Sequence, residues 1–361
     1  MALSLGKGAV RAGLVLALAA ASVGAADPIS TPSTIATPPV VTEVGGKTLA
    51  QWKRDLGGPD PSDREEAIRA ITLFGPAASE AVPELIKRLH DSDASPRCKA
   101  VIALGFIKID DKERPRVVEA LGTAVAEDSQ AMVRYAAAVS LGELGADAKG
   151  ALTGLLHAVE DQSSWEIRRV AIAALAAAGQ TPNGPDARAT HALLLALSDR
   201  AAQVRLTAVT ALGQMGRPAD AALRLKVVAA VKGMDNDKDK AVGIWAHLSM
   251  MALDNLDDAD MAFLENCTKP GEPERVRVNA VRALGVVGVK SKKAVPLLID
   301  LLSDEATDVQ GTACQALGNL GKDAPPEAEK RLTDLSQGKD TKESIKQAAQ
   351  AALDAIKKAR M

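Results

Sequence analysis

An all-α solenoid, an α-α superhelix of about nine helix pairs, is the fold this sequence predicts, on three observations. A short phrase recurs along the chain, clearest as Val204, Arg205, Ala208, Ala211, Leu212, Gly213, Met215 and Gly216. Its Arg position falls at Arg64, Arg97, Arg134, Arg168, Arg205, Gly243, Arg277, Gln310 and Lys346, in steps of 33 to 38 residues, a period that marks stacked helical repeats. Ala, Leu and Val dominate while the aromatic share is only 2%, which suits helices packed closely through small side chains and fits a sheet poorly.

The chain opens with Lys7 and Arg11, an apolar run over residues 12–23, and small residues ending at Ala25 and Ala26. That is the layout of a secretory signal cleaved near Ala25 or Ala26, and the run is too short to span a bilayer. Residues 27–46 hold Pro28, Pro32, Pro38 and Pro39 among Ser and Thr, which predicts a disordered tether because such a composition buries no core. Residues 47–358 then carry the repeat without a break and are expected to form one elongated solenoid domain. Leu49, Trp52 and Leu56 are expected to form the inner face of its N-terminal cap.

Each repeat reads as two helices. The first, typified by Val82, Pro83, Leu85, Ile86 and Leu89, has apolar residues at helical spacing and Pro in the first turn, where its missing N–H costs nothing. An acidic turn follows, with Asp91, Asp93, Asp128, Asp161, Asp199, Asp304 and Asp308 placed to cap the second helix. Because the recurring Arg stands beside these residues, a structural Asp-to-Arg hydrogen-bonded ladder is expected along the stack. In the second helix, positions three, six, seven and ten after the Arg form an apolar stripe. The Gly at position eight permits close helix approach, and the Gly at position eleven (Gly75, Gly145, Gly179, Gly216, Gly288, Gly321) is expected to end the helix in a left-handed turn. The last helix, over residues 344–360, is rich in Lys and Gln and reads as a polar C-terminal cap.

On the repeated Val-Arg, Ala, Ala-Leu-Gly and Leu-Gly residues, the chain resembles the HEAT repeat family, in its short HEAT-like form of the phycobilisome lyase type. The resemblance spans about residues 47–358 and implies a protein-binding scaffold whose second helices line a concave face. The sixth repeat departs from the pattern, with Gly243 for Arg and Ser249, Met250 and Met251 for Ala-Leu-Gly. There the ladder is expected to break and the curvature to change.

Charge and motifs exclude more than they offer. Lys plus Arg at 44 nearly balances Asp plus Glu at 46, so no global field draws nucleic acid or an anionic membrane. His90, His157, His191 and His247 each lack the adjacent Glu that iron-dependent hydroxylases of similar stacks use, and His247 occupies a position that is Val or Ile elsewhere, as a core or edge histidine would. Asp235, Asp237 and Asp239 imitate the opening of a calcium loop, but Lys240 stands where its Gly is needed and Ala246 where its Glu is needed. Cys98, Cys267 and Cys314 are an odd, widely spaced set that makes no disulfide framework, and Cys314 falls in a Val and Ile column of the core. No nucleophile has a partnered base. The sequence therefore assigns no catalytic residue, no metal and no cofactor.

Repeat proteins bind through columns that vary while the core stays fixed. Here those are positions one, two, five and nine after the Arg, and across the middle repeats they supply Tyr135, Arg169, Leu206, Ile244, Trp245, Leu248 and Arg282 as candidate partner-binding residues. Two outcomes stay open for Trp245: an exposed apolar anchor, or burial through rotation of the irregular sixth helix. The expected function is a secreted or periplasmic, non-catalytic scaffold holding a protein or peptide on its concave face around repeats four to seven. The alternatives are an accessory enzyme of the phycobilisome lyase type and a structural spacer.

Overall fold

The computed structural model describes residues 41–253, 258–288 and 293–360, so the signal segment and residues 27–40 of the tether lie outside the described residues. The first ordered feature is a hairpin of β1 (Glu43–Val44) and β2 (Lys47–Thr48), which the all-α expectation did not include. Gly45 and Gly46, at φ 57° and 73°, form its two-residue turn, which requires left-handed backbone at both central positions. The hairpin belongs to the cap. The Trp52 indole N–H donates to the Val44 carbonyl at 2.9 Å, and the Lys47 ammonium stands 4.2 Å over the Trp52 ring. Trp52 and Leu56 are buried and Leu49 is half-buried, so residues 43–46 are part of the folded chain rather than of a tether.

Nine helix pairs follow among the described residues: α1 (Leu49–Asp55) with α2 (Pro61–Thr72), α3 (Val82–Arg88) with α4 (Ala94–Phe106), α5 (Arg114–Glu127) with α6 (Ala131–Leu144), α7 (Leu152–Ala158) with α8 (Trp165–Ala178), and α9 (Ala187–Ala196) with α10 (Ala202–Met215). The remainder are α11 (Ala221–Lys232) with α12 (Lys240–Ala252), α13 (Asp258–Asn266) with α14 (Glu274–Gly288), α15 (Ala294–Asp300) with α16 (Thr307–Asn319), and α17 (Pro326–Gln337) with α18 (Glu343–Arg360). They group into two compact units that divide inside α11, between Arg224 and Leu225. In the first unit α2, α4, α6, α8 and α10 pack each against the next, and in the second α12, α14, α16 and α18 do the same. The apolar stripe is the core of both: Ala67, Ala100, Ala137, Ala171, Ala208, Ala280 and Ala313 are all fully buried.

Small residues set the helix spacing. A Cβ on Gly105 would fall 2.5 Å from the Ser140 hydroxyl on α6, and one on Gly285 would fall 2.7 Å from the Ala316 Cβ on α16. On Gly318 it would meet the backbone of α18, 2.9 Å from the Ala352 Cα. Since that backbone cannot yield without parting the helices, Gly318→Val is expected to cost about 1–3 kcal/mol, read from the urea midpoint; an unchanged midpoint would mean α16 and α18 separate freely. Of the glycines expected to end second helices, Gly75, Gly145, Gly216 and Gly321 have positive φ, whereas Gly179 has φ −79° and Gly288 is not left-handed. Gly179 serves close approach instead, since a Cβ there would lie 2.8 Å from that of Ala189.

Candidate interaction surface

The recurring Arg ties each turn to the next repeat. Arg64 donates through Nε and Nη2 to both oxygens of Asp91 at 2.8 and 2.7 Å, and Arg97 does the same to Asp128 at 2.8 and 3.1 Å. Arg134 reaches Asp161 at 2.8 Å, Arg168 grips Asp199 at 2.7 and 2.9 Å, and in the second unit Arg277 reaches Asp304 at 2.7 Å. The remaining nitrogen, Nη1, donates back to a turn carbonyl of its own repeat: Gly58, Asp91, Asp128 and Asp161 for the first four arginines. This is the expected ladder. The capping expectation needs correction, because Asp128, Asp161, Asp199 and Asp304 each accept from the N–H two residues on, at 2.8 Å, within the turn and not from the helix. Each carboxylate is shared with an Arg, which holds it over the turn. Asp60, Ser164 and Asp239 cap α2, α8 and α12, whereas α6, α10 and α16 carry no side-chain cap.

Of the candidate binding residues, Tyr135, Arg169 and Leu206 lie at one equivalent position on the neighbouring helices α6, α8 and α10, and all three are half-exposed. Arg169 has no ion-pair partner among the described residues, in contrast to the Arg168 beside it. Arg282 is exposed on α14 in the second unit. Ile244, Trp245 and Leu248 do not form a surface patch: they are 0%, 3% and 1% exposed, and every residue of α12 from 241 to 251 is buried. The cause is at the marker. A Cβ on Gly243 would already stand 3.3 Å from the Asp235 carbonyl and from the Phe263 ring, so α12 lies closer to its neighbours here than a side chain at this position fits without a shift. With the Arg absent, α12 sinks among its neighbours, and a buried polar cluster stands in for the ladder: His247 Nδ1 bonds Asp260, its Nε2 lies 3.3 Å from Asp235, and its ring packs 4.2 Å from that of Phe263. His247 is thus a core histidine.

The family profile described as HEAT repeats matches residues 49–142, 83–176 and 261–354, more than half of the chain. The chain belongs to the HEAT repeat family. The stretch between the matched HEAT segments, 177–260, contains the irregular sixth repeat. Among solved structures, importin beta in a polyethylene glycol condition is similar at TM-score 0.58 and 14% identity, over 86% of this chain and 49% of that one, which bears on the fold alone. A designed armadillo repeat protein in complex with the peptide (KR)4 is similar at TM-score 0.46 and 20% identity, over 57% of this chain and 99% of that one. An engineered protein is similar at TM-score 0.44 and 20% identity, over 87% of this chain and 89% of that one. No curated protein sequence matches the chain.

The HEAT columns hold apolar residues that the sequence reading passed over. Leu73 and Phe106, nine positions after Arg64 and Arg97, are 64% and 76% exposed, and Ile102, five after Arg97, is 37% exposed. These residues lie in the same variable columns as the residues of the middle repeats, but at the start of the stack. Two open clefts of about 380 and 400 Å³ in the first unit are lined in part by groups that are already engaged. In one, Arg114 is taken by Asp111 and Asp147 at 2.8 and 2.6 Å; in the other, Arg168 and Asp199 belong to the ladder.

Proposed function

We propose that this HEAT repeat protein is a non-catalytic scaffold that holds a protein or peptide on the second-helix face of its first unit. The observation that carries the proposal is the row Tyr135, Arg169 and Leu206, in register on three neighbouring helices and open to water in part. A row of this kind offers an aromatic ring, an unpaired guanidinium and an aliphatic group at the spacing of packed helices, about 10 Å. Aromatic and Arg side chains are the usual anchors of protein interfaces. The Arg positions that could have suggested chemistry are instead bound into the ladder. The N-terminal sequence, with Lys7, Arg11 and the apolar run before Ala25 and Ala26, supports export, so the partner is sought outside the cytoplasm.

The test is affinity capture from the exported fraction with the full chain, beside a Tyr135→Ala, Arg169→Glu variant of unchanged helicity. The expected result is a protein or peptide held at least about tenfold more weakly by the variant, a difference of about 1.4 kcal/mol. Equal recovery by both chains would move the site off this row.

A further inference from the structure

We propose that the segment held on the first unit is an extended polyproline II stretch whose acidic side chain docks on Arg169, with an apolar side chain three residues to each side. The inference rests on the scaffold proposal and names the partner's chemistry. It begins at Trp165, the first residue of α8. Of the three tryptophans, Trp52 and Trp245 are buried in the core, and Trp165 is half-exposed. The fold does not demand a large ring there, since the same position on the neighbouring second helices is Ala131 and Ala202. Trp165 and Arg169, four residues apart, lie on one face of α8. On α6, packed beside α8, Met132 is 70% exposed and stands three residues before Tyr135, and α10 on the other side supplies Leu206.

Charge and spacing select the occupant. Arg169 is the only charged residue of these five, and it has no ion-pair partner among the described residues. Glu166, three residues before it, is held instead by the Ser164 hydroxyl at the start of the helix. A free guanidinium among apolar neighbours matches one carboxylate, which it grips through two parallel N–H groups, and rejects a cation. Packed helices stand about 8–10 Å apart, so α6, α8 and α10 offer Met132 with Tyr135, then Trp165 with Arg169, then Leu206, at that step. A polyproline II chain turns once in three residues and rises about 9 Å in doing so, and it therefore presents every third side chain on one side at the same step. A β-strand, whose side chains alternate, turns its third residue away. Aromatic rings are the usual floor for a polyproline II ligand. On α4, packed against α6, Ile102 and Phe106 are exposed and continue the apolar face. The segment thus passes over Arg169 rather than ending on it, and the carboxylate belongs to a side chain and not to a C-terminus.

Fluorescence anisotropy of a labelled Leu-Pro-Pro-Glu-Pro-Pro-Leu peptide with the full chain tests this, beside the same peptide with Lys for Glu. The acidic peptide is expected to bind at least about tenfold more tightly than the basic one, and Trp165→Ala to weaken it by at least about tenfold. Arg169→Glu is expected to invert the preference, a gain of affinity for the Lys peptide that an unfolded chain does not show. Binding of neither peptide, equal affinity for both, or an acidic peptide held as tightly by Trp165→Ala would overturn the proposal. If neither peptide binds while the Tyr135→Ala, Arg169→Glu variant still loses the protein captured from the exported fraction, the scaffold proposal stands and the carboxylate reading falls. Conversely, the expected peptide preference with equal capture by both chains supports the carboxylate site and places the captured protein elsewhere.

Discussion

Asp199→Ala is expected to destabilise the protein by about 3–5 kcal/mol, the cost of leaving a buried charge without its partner. The Arg168 and Asp199 side chains are 7% and 12% exposed, so Arg168 cannot replace the carboxylate with bulk water where it stands. The substitution removes the acceptor for two guanidinium nitrogens and for the Ala201 N–H, leaving Arg168 only the Asp161 carbonyl. Urea denaturation measures the loss, and a value under about 1 kcal/mol would show that Arg168 swings out to solvent. Arg168→Met with Asp199→Leu should recover most of it, since two packed apolar groups need no partner. The same pair predicts an acid limb. Burial by itself would raise the Asp199 carboxyl, but the Arg168 hydrogen bond, the Ala201 N–H and the Arg168 charge together hold it below its ordinary value. Asp161 is lowered in the same way, burial being outweighed by Ser163 and Arg134. A carboxyl lowered in the folded state contributes fully above the unfolded value, about 3.9, and loses that contribution as pH falls through the lower folded value. The midpoint of the natural chain should therefore fall more steeply below about pH 4 than that of Asp199→Asn.

What could be seen in the sequence was whatever recurs. Arg64, Arg97, Arg134, Arg168 and Arg277 each stand 27 or 31 residues before the Asp they bond, and a residue type that recurs with the repeat reports a contact made again from one repeat to the next. Cys314, read as core from the Val and Ile that share its column, is fully buried, and burial pushes its thiol up to about 11. Features that occur once were invisible. Two-residue strands are too short to show alternation, so Gly45 and Gly46 read as part of a tether. Asp260, the partner of His247, sits in a first helix where no column marks it. The column rule itself assumes that every second helix is turned the same way, and it fails where Gly243 removes the side chain that fixes that turn. Leu73 and Phe106 show the converse: the columns were right, but the apolar residues that use them lie at the start of the stack.

Trp245→Ala is expected to cost about 3–5 kcal/mol of stability, the range for emptying a large aromatic site in a core. At 3% exposure the ring is buried, on a helix whose residues 241–251 show no face to solvent. Unlike a Leu or Val site in the regular repeats, this one cannot collapse easily. His247 is pinned between Asp260 and Asp235, and Gly243 already holds α12 hard against the Asp235 carbonyl and Phe263. A change in unfolding midpoint, measured by circular dichroism in urea, is therefore the signature, with any loss of binding following only from unfolded material. Tyr135→Ala should behave in the opposite way, costing under about 1 kcal/mol because the ring is half-exposed, while weakening capture of the partner. If Trp245→Ala kept the natural midpoint and lost the partner, α12 would have to turn its Trp outward, and the binding face would return to the sixth repeat.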